Sequence, residues 1–220
     1  YRARVNDVAR AHLIAFAQGS DLDHKGAFYD VARLPGESDE RYRQRILLRV
    51  RALAGSGTAE HYEHLAMTAS ANVHSAIATQ PQPGRVSVQL WLVEPAQAEE
   101  TLAIVLSALN APGARPLGVP VSVSLARPHP IDITAHLLRE PGAPVDIVAR
   151  LQAGLAAQIA AYALLGRDVP RSWITTRLHV DGIARVTYPD AQAPAELTPL
   201  AADEYPVLGR VQLVDEGLQA

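Results

Sequence analysis

Residues 33–46 have the sequence RLPGESDERYRQRI, which combines a turn of the chain with the start of a helix. The residue before a proline avoids helical dihedral angles, so any preceding helix should end before Pro35. Ser38 is a favourable N-cap, and Asp39 and Glu40 follow it at the positive end of the new helix. The stretch therefore predicts a helix that begins directly after Ser38.

The sequence before this turn also has helical spacing. Gly19 offers a C-terminal stop to a first helix, whose apolar residues recur at helical intervals: Val5, Val8 and Phe16. Ser20 and Asp23 then form a Ser-x-x-Asp pattern, which predicts the cap of a short second helix. Because the chain begins at Tyr1 rather than Met, we expect an N-terminal part of the protein to precede it.

Beyond Gly57 the pattern changes to helices alternating with strands. In residues 58–127 we predict helices at 58–69 and 96–109, with strands at 73–79, 85–93 and 119–125. In residues 128–220 we predict helices at 144–164 and 170–178, with strands at 131–138 and 183–188. Two compact α/β units of this kind need no metal or disulfide to fold.

The predicted fold class is therefore α+β: a helical N-terminal region followed by two small α/β units with mixed sheets. The predicted domains are residues 1–57, 58–127 and 128–220. Residues 189–208 are rich in Pro and Ala, which predicts an irregular arm. Either this arm is disordered until it packs against a neighbouring subunit, or it wraps its own domain. Residues 211–214 could close the edge of a sheet.

Composition excludes several functional classes. Charged residues make up 20% of the chain and hydrophobic residues 48%, which is typical of a globular protein. The net charge of −3 argues against a dedicated nucleic-acid binder, and no apolar run approaches the roughly 20 residues that span a bilayer. The absence of cysteine excludes disulfides, thiolate zinc sites and a cysteine nucleophile.

A search for catalytic and metal-binding patterns gives no candidate. His61 and His64 lie at i, i+3 spacing, whereas a zincin helix needs histidines at i and i+4 with a glutamate beside the first. No Gly-x-Ser-x-Gly elbow surrounds a serine, and residues 55–57, GSG, lack the lysine of a P-loop. We therefore predict a non-enzymatic protein with no cofactor and no metal site.

Three segments form specific motifs. The most specific is GSDLD at 19–23, continued by RLPGESDERYRQRI at 33–46. The other two are RPLGVPVSV at 115–123 and LGRDVP at 165–170, the last running on to HVDGI at 179–183. In their order and spacing, the three segments together resemble the baseplate J-like family over most of the chain from about Gly19 onward.

The resemblance implies a structural wedge subunit of a contractile phage tail baseplate, or of a related contractile injection machine. Such a subunit would assemble around the central hub and couple baseplate rearrangement to sheath contraction. Its partners would be other wedge subunits and a second copy of itself, with neither nucleic acid nor membrane insertion involved. Its place would be the virion tail baseplate, assembled in the host cytoplasm. The alternative is a tail-associated cell-wall hydrolase or a receptor-binding module.

The first of these segments also supplies the candidate interface residues. Asp21 and Asp23 can accept backbone N–H bonds at a helix start, so the segment is either a well-capped helical corner or a contact surface. Three arginines at i, i+4 spacing follow on one helix face: Arg41, Arg45 and Arg49. They could meet acidic groups of a neighbouring subunit or form a solvated face balanced by nearby acidic residues.

Overall fold

The computed structural model describes residues 13–53, 55 and 57–219, so the predicted first helix, with Val5 and Val8, falls largely outside the described residues. The predicted α+β class is confirmed, with helices alone up to residue 69 and strands from Val73 onward. The chain divides into a first unit that ends at Leu125 and a second that begins at Ala126. The three-part division predicted from the sequence stays a prediction.

Three helices open the described part of the first unit: α1 (Gly19–Phe28), α2 (Asp39–Ala52) and α3 (Ala59–Ala69). Ser38 caps α2 as predicted, since its hydroxyl accepts a hydrogen bond from the Arg41 N–H at 3.3 Å. Thr58 caps α3 in the same way, accepting from the His61 N–H at 3.3 Å. These hydroxyls satisfy N–H groups that have no partner inside the helix.

The predicted Ser20–Asp23 cap of α1 is wrong. Gln18 occupies the N-cap position and makes no side-chain cap bond there. The carboxylate of Asp39 instead accepts a hydrogen bond from the Gly19 N–H at 2.8 Å. Because Asp39 is the first residue of α2, one helix supplies the cap of the other, which a local sequence pattern does not reveal.

Helices α1 and α2 pack around a close contact at Gly26. The Tyr42 hydroxyl of α2 donates a 2.7 Å hydrogen bond to the Val31 carbonyl oxygen, and the tyrosine is buried with Leu22 and Ile46. A Cβ atom placed on Gly26 would lie 1.7 Å from that hydroxyl oxygen. Only glycine therefore allows the two helices to approach this closely.

The first unit contains a mixed three-stranded sheet in the order β1-β2-β3. Its remaining elements are β1 (Val73–Gln82), β2 (Arg85–Leu92), a 3₁₀ turn (Pro95–Gln97), α4 (Ala98–Leu109) and β3 (Val121–Leu125). Strands β1 and β2 are antiparallel across Pro83 and Gly84, and Gly84 has the positive φ of +76° that glycine adopts without strain. The alternating residues Val88, Leu90 and Leu92 are buried, so one face of β2 packs in the core.

The second unit is built around a long central strand. Its elements are β4 (Arg127–Arg139), α5 (Ile147–Tyr162), β5 (Val169–Pro170), α6 (Arg171–Leu178), β6 (Ile183–Thr187), β7 (Leu197–Thr198) and β8 (Glu204–Leu218). The main sheet has the order β6-β4-β8, with β6 antiparallel and β8 parallel to β4. Alternate residues of β4 enter the core with α5 and α6: Ile131, Ile133, Ala135 and Leu137. Among the helices described, none is long and apolar enough to cross a bilayer.

The strand predicted at 131–138 begins earlier in the structure, at Arg127. Pro128 and Pro130 lie inside β4, opposite Tyr205 and Val207 of β8. Strand β6 pairs only with residues 136–139, so the proline-containing part of β4 has no strand on its other side. A proline is tolerated in a strand where no ladder bond requires its missing N–H.

The predicted irregular arm at residues 189–208 is partly regular and packs on its own unit. Strand β8 begins at Glu204, well before the predicted edge segment at 211–214, and Leu200 is buried in the core. Arg171 donates to the carbonyl oxygens of Pro194 and Ala191, at 2.8 and 2.5 Å. The second of the two alternatives, an arm that wraps its own domain, describes this arrangement.

Candidate functional site

The candidate site is the corner between α1 and α2, and Glu37 lies at its centre. This residue precedes the N-cap of α2, and its carboxylate has no exposed surface. One carboxylate oxygen, Oε2, accepts from the Leu34 N–H at 3.0 Å and from Arg45 Nη2 at 2.7 Å. The other, Oε1, accepts from Arg45 Nε at 2.8 Å and from Arg41 Nη1. A buried carboxylate with four donors is fully satisfied.

Arg45 is also buried, with 1% of its surface exposed. Besides the bidentate pair with Glu37, its guanidinium donates to the Ala32 carbonyl oxygen at 2.6 Å and to Thr68 Oγ1 at 3.2 Å. These contacts join α2 to the loop after α1 and to the last turn of α3. Bidentate pairing fixes the orientation of the planar guanidinium as well as its charge.

Arg41 connects the same carboxylate to the end of α3. Its guanidinium donates to the carbonyl oxygens of Met67 and Ser70, at 2.6 and 2.8 Å, and its Nε donates to the Val73 carbonyl oxygen at 2.9 Å. The last carbonyl groups of a helix have no partner within the helix, and a cationic donor is favourable there. Arg41 therefore caps the C-terminus of α3 and holds the first residue of β1.

This geometry corrects the expectation that Arg41 and Arg45 face a neighbouring subunit. Both guanidinium groups make their hydrogen bonds within the chain, and Arg45 has almost no surface to offer. Glu37, one of the nearby acidic residues that a solvated face would need, lies in the interior instead. The three arginines thus do not form one free surface, because Glu37 lies beneath two of them.

The other three candidate residues lie nearer the surface. Asp21 is exposed in the first turn of α1, and Asp23 is about half exposed, with Oδ1 at 2.7 Å from Arg33 Nε. Arg49 is partly exposed and donates a long 3.4 Å bond to the Tyr29 carbonyl oxygen. An interface role for Asp21, Asp23 and Arg49 stays a prediction.

The electrostatics of the corner favour the charged form of its central carboxylate. Burial by itself opposes ionisation of Glu37, but hydrogen bonds from Arg45 and Leu34 and the charges of both arginines lower its pKa below the ordinary value. Burial lowers the pKa of the Arg41 guanidinium, because the attraction of Glu37 only partly offsets its lost hydration. The hydrogen bond from Gly19 and that from Arg33 lower the pKa of Asp39.

The two histidines considered as metal ligands are held by backbone carbonyl groups. The ring nitrogen Nε2 of His61 lies 2.8 Å from the Ala114 oxygen, and His64 Nδ1 lies 3.2 Å from the Arg45 oxygen. Over the described part of the chain, no three His, Cys, Asp or Glu side chains form a group that could hold a metal ion. The absence of a metal stays a prediction.

His64 makes the stability of the first unit sensitive to acid. Burial, together with the charges of Arg45 and Arg49, lowers the pKa of His64 from 6.5 to about 4. Between these values the unfolded chain binds the proton and the folded chain does not, so stability falls as pH falls. We expect the His64 contribution to the free energy of unfolding to drop by about 2 kcal/mol from pH 7 to pH 5.

Denaturant unfolding of the wild type and of His64→Gln at both pH values checks this expectation. Glutamine can still donate to the Arg45 carbonyl group but does not titrate, so the variant should lose that part of the pH dependence. His61→Gln on the same helix is the matched control and should retain it, because His64 is intact. Equal pH dependence in the wild type and His64→Gln would contradict the assignment.

Sequence reasoning missed Glu37 as the organising residue of the corner. A usable signal was present, because Glu37, Arg41 and Arg45 are spaced by four residues on one helical face. The preceding Pro35 and Gly36 turn the chain so that Glu37 points inward, and nothing in the spacing alone shows that direction.

Comparison with known proteins adds two findings. The sequence model of the Baseplate J-like N-terminal domain matches residues 1–36, which include the GSDLD segment and end directly before Glu37. The chain is also 35% identical over 204 residues to baseplate protein J of Escherichia phage P2, covering 84% of this chain and 68% of that protein. A similarity of this extent reaches into both compact units.

Proposed function

The chain belongs to the baseplate J-like family, and from this membership we propose that it is a wedge subunit of a contractile phage tail baseplate. The family gives it a structural role in a phage baseplate and places it in the virion tail. The proposal goes further: the subunit assembles around the central hub with other wedge subunits and a second copy of itself. Assembly takes place in the host cytoplasm.

The observation that carries the proposal is the similarity to a baseplate protein over 84% of the chain. The Glu37 cluster, made of Glu37, Arg41, Arg45 and their backbone partners, supports a mechanical role. It ties α2 to the loop after α1, to the end of α3 and to the first residue of β1. Elements joined in this way move together, so a displacement at one surface of the unit reaches the others.

We further propose that the exposed members of the candidate interface contact neighbouring wedge subunits. Asp21 lies at an exposed helix start, while Asp23 pairs with Arg33 and Arg49 donates to Tyr29, and both keep further surface exposed. Charged groups at the rim of an interface set orientation and association rate more than affinity. Baseplate rearrangement would alter these rim contacts, while the Glu37 cluster keeps the corner between α1 and α2 intact. Because the corner then moves as one body, it would transmit the rearrangement and so couple it to sheath contraction.

Co-expression with the other baseplate proteins of the same tail tests the proposal. We expect the chain to enter a complex of defined mass that contains those proteins, as measured by light scattering and mass spectrometry. The same preparation, incubated with purified cell-wall fragments, should neither release soluble products nor bind the fragments. Absence from the complex, together with cell-wall hydrolysis or binding, would favour the alternative of a hydrolase or receptor-binding module.

A further inference from the structure

Strand β8 has an unpaired outer edge in the second unit. It is 15 residues long and lies at one side of the sheet, where β4 is its hydrogen-bonded neighbour. In the part of the chain that the structure describes, the main chain of residues 211–215 bonds to β4 and to no other element. Unpaired N–H and C=O groups along a strand edge are a template for a strand of another chain.

Two other strand edges are partly covered by the fold itself. The carboxylate of Glu63 accepts from the Ala78 N–H of β1 at 3.0 Å, which occupies part of that edge. On the free side of β4, the Thr134 N–H donates to the Ala193 carbonyl oxygen at 2.7 Å. Native proteins commonly block sheet edges with inward-pointing charges or covering loops. Residues 211–215 of β8 have neither kind of cover among the described residues.

Two β-bulges limit the usable edge. In the pairing with β4, Asp132 stands opposite both Gly209 and Arg210, and the Arg210 N–H donates to Asp132 Oδ1 at 2.7 Å. Leu138 likewise stands opposite two residues, 216 and 217. Because a bulge interrupts regular pairing, only residues 211–215 present a straight edge, and this restricts the register that a partner strand can adopt.

The charges that flank this edge are self-complementary. Arg210 and Glu216 both lie on the face of the sheet opposite the core, where Glu216 contacts His136 and Arg185 at 3.1 and 3.3 Å. When two copies of β8 run antiparallel with Leu213 opposite Leu213, Arg210 of each copy stands opposite Glu216 of the other. Residues directly opposite in an antiparallel pair share a face, so both pairs are attractive.

We propose that two copies of this chain associate through antiparallel pairing of their β8 edges, joining two three-stranded sheets into one of six strands. This inference rests on the proposed function, in which the wedge contains a second copy of the chain. The regular edge is short, so the contact belongs to the small, transient class of interfaces. We expect a dimer at concentrations on the order of tens of micromolar, with further stabilisation in the baseplate.

Charge reversal at the two ends of the edge tests the proposal. Sedimentation velocity should show the wild type forming dimers, with the dissociation constant raised at least tenfold by Arg210→Glu or by Glu216→Arg, because each change makes two pairs repulsive. A mixture of the two variants should form the heterodimer, since one copy then carries two negative ends and the other two positive ends. Recovery of dimerisation on mixing therefore distinguishes the predicted register from a general effect of altered surface charge.

Disulfide trapping provides a second measurement that does not depend on Glu216→Arg folding normally. The chain has no cysteine, and Gln212 stands opposite Val214 in the proposed register. The double variant Gln212→Cys, Val214→Cys should form a covalent dimer on oxidation, because directly opposite Cα atoms lie within bridging distance. Gln212→Cys alone is the control and should cross-link poorly, since the two cysteines are then offset by two residues.

The inference would be overturned if the wild-type chain stays monomeric at hundreds of micromolar. It would also be overturned if the Arg210→Glu variant dimerises as well as the wild type and the double cysteine variant forms no covalent dimer. Co-expression with the other baseplate proteins distinguishes this failure from failure of the proposed function. Entry of the Arg210→Glu variant into the complex at wild-type yield and copy number would refute β8 pairing alone. Exclusion of the wild-type chain from the complex would refute the wedge role itself.

Discussion

Replacing Glu37 with alanine should destabilise the first unit by about 3–5 kcal/mol. The substitution removes the carboxylate that neutralises Arg41 and Arg45, and the Arg45 guanidinium would stay buried without a counter-charge. Breaking a buried ion pair from one side costs far more than the pair contributes overall, because the remaining charge has lost its hydration. Denaturant unfolding, monitored by circular dichroism, measures the change.

Glu40→Ala is the matched control, because Glu40 lies in the first turn of α2 and pairs with Arg43 while 71% of its side chain is exposed. We expect the control to cost no more than about 1 kcal/mol. The double variant Glu37→Leu, Arg45→Met should recover part of the loss, since apolar residues of similar size can replace a buried pair. A cost below 1 kcal/mol for Glu37→Ala would show that the Glu37 cluster does not hold the corner together.

Gly26→Ala should have the second largest effect, a loss of about 2–4 kcal/mol. The added Cβ would lie 1.7 Å from the Tyr42 hydroxyl oxygen and 2.7 Å from the Val31 carbonyl oxygen. Tyr42 cannot move aside without losing its buried 2.7 Å hydrogen bond to that carbonyl group. The variant therefore combines overpacking with an unsatisfied buried polar group.

The same substitution at Gly154 separates this contact from the general effect of replacing a helical glycine. Gly154 lies within α5, where an added Cβ would meet only Gln158 Nε2 at 3.7 Å. We expect Gly154→Ala to raise the free energy of unfolding by about 0.5–1 kcal/mol, through higher helix propensity. Melting curves of the two variants should shift in opposite directions. A stabilising Gly26→Ala would contradict the packing described for α1 and α2.

Local signals predicted those elements whose determinants lie close together in the sequence. The cap at Ser38 and the strand predicted at 85–93 each depend on a few neighbouring residues, and the structure confirms them. The cap of α1 was mispredicted because its partner, Asp39, is 20 residues away. Spacing identifies a helix face, but burial of that face depends on packing against distant elements.

In the C-terminal part of the chain, too, the residues that determine the structure lie far apart in the sequence. Pairing of β4 with β8 joins residues about 77 positions apart, such as Arg127 and Glu204. Without that partner, Pro128 and Pro130 indicate a break, and the segment before residue 204 looks irregular by composition.

In the candidate site the arginine spacing was recognised correctly, but the burial of Glu37 could not be predicted from it. A buried acid and an exposed acid give the same sequence pattern.

The central claim is that the chain is a wedge subunit in a tail baseplate, and an electron cryomicroscopy map of the intact tail tests it most directly. We expect density for both units in the baseplate, repeated around the central hub, with the corner of α1 and α2 intact in every copy. Comparison of extended and contracted tails should show the first unit moving as one body. A map with these units absent from the baseplate, or found only at the tips of receptor-binding fibres, would contradict the claim.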